Sequence, residues 1–237
     1  MRSDSLMTMI PNSLLDPLPP NPDAITADVL RAAIHDLKAP SGRLRVLAEL
    51  VNRGDSVDED TRTLLHHISE SARAMDATID ALRSYSELCM RPLRRERVDL
   101  SITLSSAMAN RAAEMSACGA AVRSGALPVV SGDSMLLIWM FEELLGNAIR
   151  FRAAEPPRIR VDALAGEEGP LISVSDNGKG IEQGLLERVF RPFKKASSEG
   201  GAGLGLTICR KIAELHGGRI WAEPRTAGAE IRITLRA

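Results

Sequence analysis

Two sets of residues in this chain could carry chemistry, and they lie far apart in the sequence. The first is His35, which is followed by Asp36 in the run from Ala33 to Pro40. The side-chain pKa of histidine is about 6.5, so its imidazole is mostly neutral near neutral pH and has a free lone pair for attack. The second set is a series of glycine-rich motifs of nucleotide-binding type in the C-terminal half. We interpret the two sets as one imidazole that accepts a phosphoryl group and one nucleotide site that supplies it.

The first motif of the second set is a pair of polar side chains at helical spacing. Glu143 and Asn147 are four residues apart, which places them on one face of a helix. The amide oxygen of Asn147 is a suitable ligand for Mg²⁺ beside a phosphate chain, so Asn147 is the predicted metal ligand. Arg150, on the next turn, can neutralise phosphate charge. Most pairs with this spacing belong to ordinary amphipathic helices, so the interpretation depends on the motifs that follow.

The second motif, Asp176 to Gly180, follows an apolar strand. The carboxylate of Asp176 can accept a hydrogen bond from the exocyclic amine of adenine, while Gly178 and Gly180 let the backbone approach the ring. Guanine presents an acceptor at that position, and a buried carboxylate that faces an acceptor costs about 1–3 kcal/mol, so we expect a preference for ATP over GTP. The alternative is a type I′ or bulged turn built on Asn177 and Gly178, with no ligand.

The third motif is a glycine-rich run from Gly200 to Leu206 that opens a predicted helix. Free backbone N–H groups at the start of a helix can hold phosphate oxygens. The run matches neither the dinucleotide-binding spacing nor the Gly-x-x-x-x-Gly-Lys loop of common NTPases. The predicted phosphate-binding residues are Gly201, Gly203, Leu204 and Gly205.

The segment between these two glycine motifs is predicted to cover the nucleotide. Phe190 and Phe193 would anchor it, and the residues up to Glu199 would form a flexible loop. A plain surface loop is the alternative.

Helical apolar spacing in the N-terminal part predicts two helices that would display His35. After a proline-rich tail at residues 1–22, one apolar stripe ends near Asn52 and a second runs from Leu64 to Leu82. A turn near Gly54 would join the helices into an antiparallel hairpin over residues 23–92. One hairpin cannot cover both stripes, so we expect a homodimeric four-helix bundle with His35 on its outer face. A helical pair packed on its own C-terminal domain is the alternative.

The sequence pattern changes after Arg97 and predicts an α/β sandwich over residues 93–237, the part that contains the nucleotide-type motifs. A strand is expected at 98–100, and helices at 101–117, at 135–151 and from Gly205 to His216. Apolar alternation predicts further strands around Ile159, Ile172 and Ile220 and at 230–235. A mixed sheet with helices on one face would place the whole chain in the α+β class.

Composition excludes several other classes of function. The chain has 237 residues, 44% of them hydrophobic, and a net charge of -1, so nucleic acid is not an expected partner. Its three cysteines form no Cys-x-x-Cys pair and are expected to be reduced packing residues of a cytoplasmic protein. No apolar run reaches the roughly 18 residues that span a bilayer, and no secretory signal is expected. The remaining histidines, His66, His67 and His216, match no metal-ligand spacing, and His216 is expected to cap a helix end.

In this order, the motifs resemble those of the histidine protein kinases of two-component signalling, over about residue 24 to the C-terminus. Two further segments, Pro156 to Ile159 and His216 to Trp221, are most similar to the kinase modules of bacterial phytochromes. The motifs that carry the resemblance are similar to the H box (His35 to Pro40), the N box (Glu143 to Phe151), the first glycine box (Asp176 to Gly180), the F box (Phe190 to Phe193) and the second glycine box (Gly201 to Leu206).

The resemblance implies a reaction and its partners. The γ-phosphoryl group of ATP would move to Nε2 of His35, with Mg²⁺ as cofactor and Asp36 as the base that orients the imidazole and accepts its proton. A base of this kind contributes roughly 10²- to 10⁴-fold. Glu143 would have a supporting role, although its spacing from Asn147 also resembles ATPases of the gyrase and Hsp90 type, in which the glutamate activates water. A response regulator would receive the phosphoryl group, and an unidentified sensor or input protein would control the kinase.

One alternative stays open at this point. The chain could be a degenerate ATP-binding scaffold that regulates a partner by contact, similar to anti-sigma-type regulators. For the kinase, the resemblance implies weak phosphatase activity, because Ala39 stands where related kinases with that activity carry Thr or Asn.

Overall fold

The computed structural model describes residues 34, 38, 41–42, 44–47, 51, 58–166, 169–192 and 203–236. The predicted tail at 1–22 and four predicted site residues, His35, Asp36, Phe193 and Gly201, lie outside the described residues.

The described residues of the N-terminal part belong to two antiparallel helices, as the apolar stripes predicted. The described residues between 34 and 51 are helical, and the second helix, α1, runs over Glu59–Met90. Lys38 Nζ lies 2.6 Å from Asp80 Oδ1, and the buried Ser41 donates a hydrogen bond of 2.6 Å to Asp76 Oδ1. In these contacting pairs, the residue number rises from 38 to 41 on the first helix while it falls from 80 to 76 on the second, so the two helices run in opposite directions.

One hairpin leaves part of its apolar surface uncovered. Ala72 and Ile79 of the second predicted stripe are buried, whereas Leu64, Ile68 and Met75 are exposed by 63%, 46% and 38%. The first stripe has the same feature, since Leu44, Leu47 and Val51 are also exposed.

The C-terminal part contains two sheets and four helices among the described residues. Its elements are β1 Glu96–Asp99, α2 Leu100–Asn110, α3 Ala112–Cys118, β2 Ala121–Ser124, β3 Val129–Gly132, α4 Ser134–Arg150, β4 Arg158–Leu164, β5 Leu171–Ser175, α5 Gly205–Leu215, β6 Ile220–Glu223 and β7 Glu230–Thr234.

The main sheet has five strands in the order β2-β4-β5-β7-β6 and is mixed, because β2 pairs parallel to β4 and the other pairs are antiparallel. Alternate residues such as Val161, Ile172 and Ile233 are fully buried, as expected for strands with one face toward a core. They share that core with Phe141 of α4 and Ile212 of α5. The predicted α/β sandwich is therefore confirmed.

Three local details differ from the sequence prediction. The helix expected at 101–117 is broken at Arg111, which ends α2 and begins α3. The expected strand at 98–100 lies at Glu96–Asp99, because Asp99 caps α2 by accepting a hydrogen bond of 2.7 Å from Ser101 N. The strands β2 and β3 were not predicted, since each has only four residues and little alternation. None of the helices in the described ranges is long and apolar enough to cross a membrane.

Candidate nucleotide-binding site

A cavity of about 370 Å³ lies where α4, α5 and the strands β5 and β7 meet. This volume is within the usual range for small-molecule sites, about 300–1,000 Å³. Its apolar lining includes Leu144, Val174, Ile181 and Ile231, and α1 adds Ala81 to the wall. The described part of the site therefore combines an apolar floor with the polar side chains that the motifs predicted.

Helix α4 presents one polar stripe to this cavity. Asp133 caps the helix by accepting a hydrogen bond of 3.2 Å from Leu136 N. Glu143, Asn147 and Arg150 all line the cavity, as their spacing of four and three residues predicted, while the opposite face of α4 is buried in the core.

The carboxylate of Glu143 is held on two sides. Trp139, one turn earlier, donates a hydrogen bond of 3.2 Å from Nε1 to Glu143 Oε1. On the other side, a Cβ atom at Gly205 would lie 2.5 Å from Glu143 Oε2 and 3.7 Å from Asn147 Nδ2. Only glycine at position 205 leaves room for the carboxylate in this position.

The N-terminus of α5 opens toward the cavity, and no side chain among the described residues caps it. Gly203, which has a left-handed φ of 70°, leads into Leu204 at the N-cap and Gly205 at the first helical position, and all three line the cavity. Helices α1, α2 and α4, in contrast, are each capped by an aspartate. The uncapped N–H groups and the positive end of the helix dipole form a site that suits an anion.

Asp176 lies at the end of β5 on the cavity wall. Its Oδ1 accepts hydrogen bonds from Gly178 N at 2.8 Å and from Ala229 N at 3.1 Å. Within the described part of the chain, no group donates to Oδ2. This oxygen can therefore accept a hydrogen bond from an exocyclic amine, as the sequence predicted.

The residues after Asp176 do not form the type I′ turn considered as an alternative. That turn requires a positive φ at both central residues, and Gly178 does not have one. Instead, Asn177 binds across to the start of β4, where its Oδ1 accepts a hydrogen bond of 2.7 Å from Arg158 N. A Cβ at Gly178 would lie 2.6 Å from the carbonyl oxygen of Phe151, so this glycine allows a close backbone approach without lining the cavity itself. Gly180, with a φ of 78°, does line it.

Sequence reasoning missed several residues of the cavity. Lys179, Glu182 and Ala229 line it, and Gly228 has a left-handed φ of 70° that lets its backbone pack against Asp176. The glycine of the sequence Thr226-Ala227-Gly228 indicated a turn at this position, and it was the only local sequence signal for these residues. The contact between Ala229 and Asp176 spans 53 residues and had none.

Two buried titratable groups support the helices of the site. Burial lowers the pKa of His216 below its ordinary value of 6.5. The ring caps the C-terminus of α5, with Nδ1 donating to Ile212 O at 2.7 Å and Nε2 accepting from Asp133 N at 3.0 Å. Burial also raises the pKa of the thiol of Cys209, a residue of α5. This thiol donates a hydrogen bond of 3.7 Å to the carbonyl oxygen of Met140 on α4. The expected capping role of His216 and packing role of Cys209 are thus confirmed, whereas Cys89 and Cys118 are only partly buried. His66 and His67 are exposed on α1.

Comparisons with known proteins agree with this geometry. Residues 132–237 match the family described as histidine kinase-, DNA gyrase B- and HSP90-like ATPase. The chain is 32% identical to cyanobacterial phytochrome A of Nostoc sp. over 209 residues, and this alignment covers 86% of the chain and 27% of the relative. It is 30% identical to the sensor histidine kinase AruS of Pseudomonas aeruginosa over 217 residues, and this alignment covers 86% of the chain and 22% of the relative.

A solved structure shows the same fold. The crystal structure of full-length ShkA in complex with AMPPNP superposes with a TM-score of 0.63 at 22% sequence identity, over 89% of this chain and 47% of that one. At this identity the likeness establishes the fold alone. The chain spans about a quarter of the length of the two curated relatives above.

The fold and the family match define residues 132–237 as an ATP-binding domain of the histidine kinase, gyrase and HSP90 type. Together with these relatives, the match identifies the chain as a catalytic core of the two-component sensor histidine kinase type. The resemblance found from the five motifs, including the similarity to phytochrome kinase modules, is therefore confirmed.

Proposed function

We propose that this chain is an ATP-dependent protein histidine kinase that phosphorylates its own His35 and passes the phosphoryl group to an aspartate of a separate response regulator. The observation that carries the proposal is the convergence of two features on one cavity. These are the uncapped N-terminus of α5 and the α4 stripe of Glu143, Asn147 and Arg150. An anion-binding helix end beside an amide oxygen and a guanidinium suits a nucleotide triphosphate.

Each end of the nucleotide has a proposed partner. Asp176 Oδ2 accepts the adenine amine, the N–H groups at Gly205 and the following residues hold phosphate oxygens, and Arg150 neutralises their charge. The amide oxygen of Asn147 and phosphate oxygens would hold Mg²⁺, which supplies further charge neutralisation. The cover from Phe190 onward is proposed to close over the nucleotide. The described part of the cover fits, since Phe190 is buried and its carbonyl accepts a hydrogen bond of 3.1 Å from Thr207 Oγ1.

The phosphoryl transfer is a substitution at the γ-phosphorus. The Nε2 lone pair of His35 forms the new N–P bond, and the bond between the γ-phosphorus and the bridging oxygen breaks, so that ADP leaves with the electron pair. Asp36 binds the Nδ1–H group and accepts its proton. An aspartate oxygen of the regulator then forms a new O–P bond as the N–P bond of His35 breaks. Asp36 returns the proton to Nδ1, so the neutral imidazole is regenerated.

The proposal includes an organisation for the chain. Residues 23–92 form the dimerisation and phosphoacceptor hairpin, residues 93–237 form the catalytic domain, and residues 1–22 are a tail. The exposed apolar side chains of Leu64, Ile68 and Met75 support a homodimer, because a second hairpin would cover them. A monomeric mass in sedimentation equilibrium would contradict it. Because ATP and reduced thiols are found in the cytoplasm, we propose that the kinase acts there, under the control of an input protein.

The test is incubation with γ-labelled ATP and Mg²⁺. We expect acid-labile, base-stable label on the wild-type chain and on His66→Ala, since His66 is exposed on α1, and no label on His35→Ala. Nucleotide binding by calorimetry provides the control that each variant is folded. ATP binding without label in the wild type would support a regulatory scaffold and overturn the kinase proposal.

A further inference from the structure

We propose that Trp139 is a positioning residue that prevents the carboxylate of Glu143, which lies against Gly205, from hydrogen-bonding to the N–H groups at the start of α5. The inference rests on the proposed ATP site and extends it to a residue outside the cavity lining. It starts from the hydrogen bond of 3.2 Å that Trp139 Nε1 donates to Glu143 Oε1.

The geometry makes Trp139 a rigid donor. The two residues are four apart on α4, so the indole lies one turn below the carboxylate on the same face. The indole is partly buried and packs against the hydrophobic core, which restricts its orientation. It therefore fixes one oxygen of Glu143, while the other lies against Gly205.

Without the hydrogen bond from Trp139, the carboxylate of Glu143 could occupy the position that the phosphates of ATP take in the proposed site. Glu143 Oε2 already lies at the start of α5, whose N–H groups have no side-chain cap in the part of the chain that the structure describes. Carboxylates are good acceptors for such groups, and the helix dipole favours a negative charge there. A released Glu143 would cap α5 and occupy the N–H groups that hold the phosphates of ATP. Its charge would also repel them.

A charge-assisted hydrogen bond contributes about 1.5–3 kcal/mol, so competition of this kind predicts an affinity loss of about ten-fold or more. Trp139→Phe removes the N–H group and keeps the aromatic packing. Trp139→Gln restores a donor, because its amide nitrogen is as many bonds from Cα as the indole nitrogen. Trp221→Phe is the matched control, since Trp221 Nε1 also donates to a glutamate, Glu223 Oε1 at 2.8 Å, on a strand that does not line the cavity.

The experiment measures affinity for a non-hydrolysable ATP analogue by calorimetry, together with thermal unfolding. We expect binding about ten-fold weaker in Trp139→Phe, with near wild-type binding in Trp139→Gln and Trp221→Phe. Adding Glu143→Gln to Trp139→Phe should recover affinity, because the competing charge is removed. Equal affinity of Trp139→Phe and wild type, or no recovery in the double variant, would overturn the inference.

A second measurement covers the case in which Trp139→Phe does not fold. The chain has two tryptophans, so its nitrogen–proton correlation spectrum contains two indole signals, which Trp221→Phe assigns. Glu143→Gln should shift the Trp139 signal and leave the Trp221 signal unchanged, and an unshifted Trp139 signal would refute the hydrogen bond. Both measurements are independent of phosphoryl transfer. If wild type binds the analogue but never labels His35, the proposed kinase function fails while the Trp139 inference is still tested.

Discussion

Gly205→Ala is the substitution that separates the function of the cavity from the stability of the fold. The added Cβ would lie 2.5 Å from Glu143 Oε2, whereas ordinary contact begins at 3.4 Å, so the carboxylate must move by the difference, 0.9 Å. The clash is with the end of a flexible side chain, which can give way. Alanine also has a higher helix propensity than glycine, by up to about 1 kcal/mol in a helix interior, and the part of this gain that applies at the first helical position offsets the displacement.

The expected result is a large functional loss at almost constant stability. A misplacement of about 1 Å near the reacting groups can cost roughly 10²-fold, and we expect a decrease of that order in the autophosphorylation rate of Gly205→Ala. The free energy of unfolding, measured with urea, should stay within about 1 kcal/mol of wild type.

Alanine substitutions at two other glycines serve as controls for this experiment. A Cβ at Gly184 meets nothing within 4 Å, so Gly184→Ala should change neither rate nor stability. A Cβ at Gly218 would overlap the backbone carbonyl of Thr234, which cannot move aside, so Gly218→Ala should lower stability and activity together. The reasoning is refuted if Gly205→Ala keeps the wild-type rate, or if its losses follow the pattern of Gly218→Ala.

Two further predictions concern the base and the buried histidine. Asp176→Asn keeps an acceptor for Gly178 N and Ala229 N but can place a donor toward the adenine amine. ATP affinity should therefore fall by about ten-fold or more, and competition binding should show a smaller preference for ATP over GTP. Unchanged selectivity would argue against the role of Asp176. For His216, the folded pKa lies below the unfolded value, so the unfolded chain binds more protons and stability falls as pH decreases from about 7 to 5. Urea unfolding should show a shallower decrease in His216→Gln, and parallel pH profiles would contradict this.

The sequence predicted the parts of the site that depend on local periodicity. The spacing of Glu143, Asn147 and Arg150 fixes their common face once α4 forms, and alternating apolar residues located the long strands. The glycine run located the N-terminus of α5 for the same reason, because it lies directly before an amphipathic stretch.

Contacts between distant segments were not predictable in this way. The cap at His216 was expected, but its acceptor role for Asp133 N joins residues 83 apart. The break at Arg111 depends on tertiary packing, since its guanidinium lies against Gly146 of α4. Trp139 had a local signal at four residues from Glu143, yet a tryptophan in an apolar helix is ordinarily a core residue.

The most direct test of the account is the location of the phosphoryl group after incubation with Mg-ATP. Peptide mass spectrometry at neutral pH or above, where phosphohistidine survives, can compare wild type with Asn147→Ala. The account predicts phosphorylation of the peptide that contains His35 in wild type and its loss in Asn147→Ala. Phosphorylation of another residue in wild type, or equal occupancy of His35 in both proteins, would contradict it.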